Sequence, residues 1–150
     1  MRNLEASTPG SKKKRTKKLV YNRLGKITIE TNPFGISTHY EYDGFARLSK
    51  VTLSNGTTIQ YKWLPNDLLA SEETLGDDGT GAIRQLTFRS FTYDEKNRKI
   101  TETIKSFKND PNVFENLETI FFYDNMDRIV KHVNNRGGIT TKQYDSLGRL

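Results

Sequence analysis

His39 and His132 are the only histidines of the chain, and it has no cysteine. Nucleophilic or acid–base catalysis needs such a group held beside a partner. Each histidine instead sits inside a strand-like stretch, His39 between Thr38 and Tyr40, His132 between Lys131 and Val133. Structural or surface roles are expected for both. Asp43, Asp94, Asp124 and Asp145 each follow a tyrosine, where a carboxylate can accept backbone N–H groups across a turn. A metal would need several carboxylates converging, as in a calcium loop. Asp77, Asp78 and Asp110 lie in loop-like stretches without that spacing. No catalytic, cofactor-binding or metal-ligating set is assigned, and no cofactor is expected. Without cysteine there is no disulfide framework and no thiolate metal site. Asn55-Gly56-Thr57 fits a glycan acceptor, but a hairpin turn explains it equally well.

The aspartates belong to a larger pattern: aromatic, Asp, two free positions, a turn-tolerant residue, Arg, then Leu or Ile. It reads clearly at Tyr42-Asp43-Gly44-Phe45-Ala46-Arg47-Leu48, at Tyr123-Asp124 with Asp127, Arg128 and Ile129, and at Tyr144-Asp145-Ser146-Leu147-Gly148-Arg149-Leu150. Tyr93-Asp94 with Asn97, Arg98 and Ile100 carries one apparent insertion before the Ile. Tyr21-Asn22-Arg23-Leu24-Gly25-Lys26-Ile27 has Asn and Lys for Asp and Arg. Trp63-Leu64-Pro65-Asn66-Asp67-Leu68-Leu69 keeps only the aromatic, the turn residue and the final Leu. The lead aromatics stand at 21, 42, 63, 93, 123 and 144, intervals of 21 or 30 residues. A fixed period of this size marks a repeat array. All seven tyrosines fall on the lead position or two residues before it.

Stepping from motif to element, the residues between motifs alternate as strands do. Thr38, Tyr40 and Tyr42 share a face, as do Ile59, Tyr61 and Trp63; Leu117, Thr119, Phe121 and Tyr123; and Ile27 with Ile29. Turns are expected near 22–26, 32–35, 43–47, 54–57, 94–98, 124–128 and 134–138. Asn55-Gly56 suggests a type I′ hairpin with two positive φ angles. Residues 67–76 also have a helix's N-cap, helix formers and closing Gly, but the repeat register makes Leu69–Leu75 a strand. Lengthened loops at 77–81 and 109–112 would account for the 30-residue intervals. The fifth motif position is Gly25, Ala46, Asp67, Asn97, Asp127 and Gly148. Gly, Asn and Asp tolerate a left-handed backbone. Ala46 does not, so either Ala46 is strained or Gly44 carries the unusual angle. The chain stops directly after a turn, as a fragment or one end of a longer array would.

Composition agrees with an extended sheet rather than a deep core. Only 33% of residues are apolar, yet 11% are aromatic. Residues 1–26 hold nine basic side chains and one acid, so the net charge of +6 is a property of the leader, and the rest is near neutral. Residues 1–18 read as a basic, disordered leader and residues 19–150 as the array of about six units. Lys12–Lys18 offers anions a contact but has no interleaved aromatic for base stacking, so nucleic acid is not expected as a partner beyond that leader. There is neither a membrane-length apolar run nor a Sec-type signal peptide.

Residues 19–150 resemble the RHS or YD repeat of bacterial Rhs polymorphic toxins, Tc toxin C subunits and teneurins. The resemblance is carried by Tyr21, Gly25, Tyr42, Asp43, Arg47, Leu48, Trp63, Asp67, Tyr93, Asp94, Asn97, Arg98, Tyr123, Asp124, Asp127, Arg128, Tyr144, Asp145, Gly148 and Arg149. It implies an all-β, antiparallel hairpin array, a segment of a spiralling β-shell. It also implies a structural, non-enzymatic role: enclosing or presenting a toxin or effector domain, in a secreted or cell-surface protein, with further repeats or that domain as partners. The family's self-cleaving core segment has no match here. The alternative is a carbohydrate-binding module using exposed aromatic rows. The two differ in whether Tyr42, Trp63, Tyr93 and Tyr123 pack against neighbouring strands.

Overall fold

The computed structural model describes residues 16–107 and 114–150. Among these there is no helix, and hence none long and apolar enough to cross a membrane. Eleven strands form one antiparallel sheet in sequence order: β1 Lys18–Tyr21, β2 Ile27–Thr31, β3 Ser37–Tyr42, β4 Leu48–Thr52, β5 Thr58–Trp63, β6 Leu69–Asp77, β7 Ile83–Tyr93, β8 Lys99–Phe107, β9 Phe114–Tyr123, β10 Ile129–Val133 and β11 Ile139–Thr141. Every strand pairs only with its sequence neighbours. The sheet is a single layer. Among the described residues only Val51, Ser71 and Gly76 are buried, and no side chain is fully enclosed.

Nearly all the connections use one device. Loops 22–26, 32–36, 43–47, 53–57, 64–68, 78–82, 94–98, 124–128, 134–138 and 145–149 each donate the first residue's N–H to the fifth residue's carbonyl at 2.8–3.2 Å. In all but 78–82 the fourth N–H also returns to the first carbonyl. The fourth residue has positive φ throughout, from 60° at Asp127 to 86° at Gly35 and Gly81. This is a type I turn closed by one left-handed residue, which matches the twist of the flanking strands. Asn55-Gly56 follows the same rule. Only Gly56 has positive φ, 84°, so this is not a type I′ turn.

Two kinds of hairpin alternate. After each motif turn the ladder skips a residue. Tyr42 faces Leu48, but Glu41 faces Lys50, so Ser49 is bulged out. The same skip follows Tyr21, Trp63, Tyr93 and Tyr123. A bulge reverses the alternation of faces. Ile27 therefore lies with Tyr21 on one face, and Ile29 lies with Val20 on the other, contrary to the simple alternation expected of them. Tyr93 faces Lys99, so the motif has no insertion there: Lys99 fills the seventh place and Ile100 is the bulged residue. The 30-residue unit starting at Trp63 is long because its strands are long. β6 and β7 run to 9 and 11 residues, against 5 and 6 in β4 and β5, while loop 78–82 keeps five residues. The expected loop at 109–112 and most of the expected leader fall outside the described residues.

The result is a two-faced sheet. Following the register, one face carries Tyr21, Tyr40, Tyr42, Tyr61, Trp63, Phe91, Tyr93, Phe121 and Tyr123. The other is dominated by Thr52, Thr58, Ser71, Ser90, Thr92, Thr101 and Thr103, with Lys50, Lys62 and Lys131.

Candidate functional site

The chemistry of the chain is concentrated along the edge where the motif turns lie. In the turn after Tyr42, one Asp43 oxygen accepts the N–H groups of Phe45 and Arg47, each at 2.9 Å. The other oxygen accepts Arg47 Nε and Nη2 at 2.8 and 2.7 Å. Asp94 with Arg98, and Asp124 with Arg128, repeat all four bonds. Asp145 repeats the backbone pair and binds Arg149 Nε at 2.7 Å. Asn22, Asn32 and Asn134 keep the two backbone bonds with their amide oxygens. The arginine side chain, then the backbone N–H groups, hold the carboxyls of Asp43 and Asp94 below their ordinary value. At Asp124 and Asp145 the order is reversed, with the Arg128 or Arg149 backbone N–H first.

The arginine also reaches forward one repeat. Arg47 Nη1 donates to Leu64 O at 2.9 Å and to Asp67 Oδ1 at 2.8 Å in the following motif turn. Arg98 Nη1 does the same to Asp124 O at 3.3 Å and Asp127 Oδ1 at 2.7 Å. The guanidinium lies over the next lead aromatic: Arg47 over Trp63 at 5.8 Å, Arg98 over Tyr123 at 4.8 Å, Arg128 over Tyr144 at 4.5 Å. That aromatic in turn points back. The hydroxyls of Tyr42, Tyr93, Tyr123 and Tyr144 donate to Ile27 O, Leu69 O, Lys99 O and Ile129 O, and Trp63 Nε1 donates to Leu48 O, all at 2.7–3.0 Å. Each acceptor is the seventh residue of the preceding motif. The motif thus joins each unit to its neighbours in both directions.

Tyr42, Trp63, Tyr93 and Tyr123 are half-buried and engaged with neighbouring strands, so the lead row offers no free stacking platform for a sugar. Ala46 has φ 61° and Gly44 is not left-handed, so the strain lies on the alanine. His39 is exposed, and His132 stands 6.4 Å from the Phe121 ring, centroid to centroid. Asp77 Oδ1 accepts the N–H groups of Gly79 and Gly81, and Asp78 pairs with Arg84 at 2.6 Å, so both loop aspartates hold their own loop. Lys17 pairs with Glu30 at 2.8 Å; the basic run before Thr16 lies outside the described residues.

Sequence reading missed one cluster. On the aromatic face Glu102 accepts Lys99 Nζ at 2.7 Å and Arg89 Nε at 3.2 Å, and Arg89 lies 4.0 Å from Glu72. Burial opposes the charge of Glu102, but Lys99 and Arg89 outweigh it and keep its carboxyl below the ordinary value. Lys99 also covers the Phe91 and Phe121 rings at 5.5 and 4.8 Å. The one available signal was the Lys99–Glu102 spacing. The rest depends on a register set by bulges.

Residues 21–61 match the RHS repeat family. One solved structure shares its fold at low identity, and a second is similar. The first is the crystal structure of TcdB2-TccC3 without its hypervariable C-terminal region. It aligns with TM-score 0.50 and 11% identity over 89% of this chain and 8% of that one. The crystal structure of TcdB2-TccC3 aligns with TM-score 0.49 and 11% identity over 88% and 8%. The chain described here therefore spans less than a tenth of the length of these two proteins. No curated protein matches it.

Proposed function

We propose that this RHS segment is a non-catalytic wall element of a β-shell that encloses or presents a toxin or effector domain, within a larger secreted or cell-surface protein. One observation carries the reading: the motif side chains that look chemically active are spent on closing their own turns and on joining one repeat to the next. A carboxylate that binds two backbone donors and a guanidinium is a poor base, because its lone pairs are occupied. A single-layer sheet with an aromatic and a hydroxyl-rich face suits a wall better than a free-standing domain. Further repeats and the enclosed domain are the partners this reading requires.

The test is limited proteolysis of the parent polypeptide. Opening one joint with Arg98→Ala and Asp127→Ala should expose the enclosed domain to protease while leaving the isolated domain's own activity unchanged. Equal protection in parent and variant would refute the wall reading. A carbohydrate-binding role is supported only by Tyr40 and Tyr61, half-buried residues whose hydroxyls make no hydrogen bond among the described residues. It predicts glycan binding that is lost in Tyr61→Ala and kept in Tyr42→Phe.

A further inference from the structure

We propose that the cleft at turn 94–98 binds an arginine side chain supplied by a partner polypeptide. The chain's own joints define the chemistry. Ahead of Trp63 and Tyr123 a guanidinium lies over the ring and donates to two acceptors in the following turn, the first residue's carbonyl and the fourth residue's carboxylate. Ahead of Tyr93 the arginine position is Leu68. The rest of the joint is intact. The Tyr93 hydroxyl donates to Leu69 O at 2.9 Å, the turn is closed by Asn97 N–H on Asp94 O at 2.9 Å, and Asn97 keeps the left-handed angle, φ 63°. Leucine has neither the length nor the charge of the missing group, and among the described residues no cation lies over the Tyr93 ring.

An open cleft of about 470 Å³ adjoins this turn, lined by Tyr93, Asp94, Glu95, Lys96 and Arg98, with Asn97 and turn 64–68 outside its lining. Its two cations are already engaged, Lys96 with Asp127 at 3.6 Å and Arg98 with Asp94 and Asp127 at 2.7 Å each. Its carboxylate Glu95 is exposed and has no ion pair among the described residues. Asp94 O and Asn97 Oδ1 stand as the two turn acceptors, the latter now receiving Asn66 Nδ2 at 2.7 Å. A planar, forked donor that also stacks on an aromatic fits this set better than a compact ammonium does. The joint ahead of Tyr42 lacks an arginine too, but its fourth turn residue is Ala46, which offers no side-chain acceptor, so the site does not recur there. The inference is independent of what the sheet encloses.

The experiment is a titration of the isotope-labelled full chain with N-acetyl-arginine amide, followed by amide resonances. Saturable shifts should centre on Glu95, Asn97 and the Asn66 side-chain amide as the ligand displaces Asn66. N-acetyl-citrulline amide, similar in shape but uncharged, should give none. Leu68→Arg, which supplies the guanidinium from within, should abolish the response and raise the melting temperature. Glu95→Gln, a conservative surface change, should weaken binding at least threefold and serves if Leu68→Arg does not fold. The proposal is overturned if no saturable shift appears, if citrulline acts as arginine does, if folded Leu68→Arg binds as the native chain does, or if Glu95→Gln leaves the affinity unchanged.

Discussion

Ala46 is the one motif-turn residue held left-handed without the excuse of Gly, Asn or Asp. The strain on its methyl group is about 1–2 kcal/mol. Replacing it with glycine removes that strain but adds freedom to the unfolded chain, roughly 0.4–1 kcal/mol in the other direction. Ala46→Gly should therefore be neutral to mildly stabilising in a thermal melt. Gly44 is not left-handed and has open space at its Cβ position, so Gly44→Ala should stabilise by about 0.4–1 kcal/mol. Clear destabilisation by Gly44→Ala would move the strained angle to that residue. The motif aspartates make a second, pH-dependent prediction. Asp43, Asp94, Asp124 and Asp145 have lowered folded values, so their contribution is present above the ordinary aspartate value near 4 and is lost as pH falls through the folded values. The chain should lose melting temperature below about pH 4. Asp124→Asn, which keeps the turn bonds as Asn22 does, should shrink that loss, whereas Asp124→Ala should lower stability at neutral pH as well. An acid response that ignores all four aspartates would contradict the account.

At the level of the element, turns were legible because their rule is local. A left-handed residue and an Asx oxygen three positions apart are written into any five-residue window, so the positions of the turns followed from Gly25, Asn97 or Gly148 alone. The strands after them were less so. A bulge costs one residue of register, and no residue type announces it: Thr28, Ser49, Ala70, Ile100 and Val130 have nothing in common. That is why Ile27 and Ile29 separate onto opposite faces, and why Lys99 looked like an insertion. The longer β6–β7 hairpin was misread for a related reason, since Asp77, Asp78, Gly79 and Gly81 suggested an enlarged loop. Its added length also creates a close contact. A Cβ at Gly76 would lie 2.8 Å from Leu86 Cδ1 and 3.0 Å from Thr57 Oγ1. Both are side-chain ends, so Gly76→Ala should be tolerated at small cost. Gly76→Val should cost about 1–3 kcal/mol, measurable by denaturant unfolding; a neutral valine would mean that β6 and β7 are not apposed as described.

Over the whole molecule, stability comes from joints rather than from a core. With Val51, Ser71 and Gly76 as the buried residues among those described, the usual store of apolar burial is missing, and stability becomes a sum over neighbouring units. The sequence period revealed the units. It could not reveal that the arginine of one unit belongs to the next, because that link joins residues 20 or 29 positions apart. The central claim is that such links couple the repeats. The most direct measurement is a double-mutant cycle in the full chain between Arg98 and Asp127, each replaced by alanine singly and together, read by denaturant unfolding. The two residues belong to different motif turns and meet at 2.7 Å. The relay predicts that the double variant is less destabilised than the sum of the two single variants. Strict additivity would mean that the turns are independent, and would contradict it.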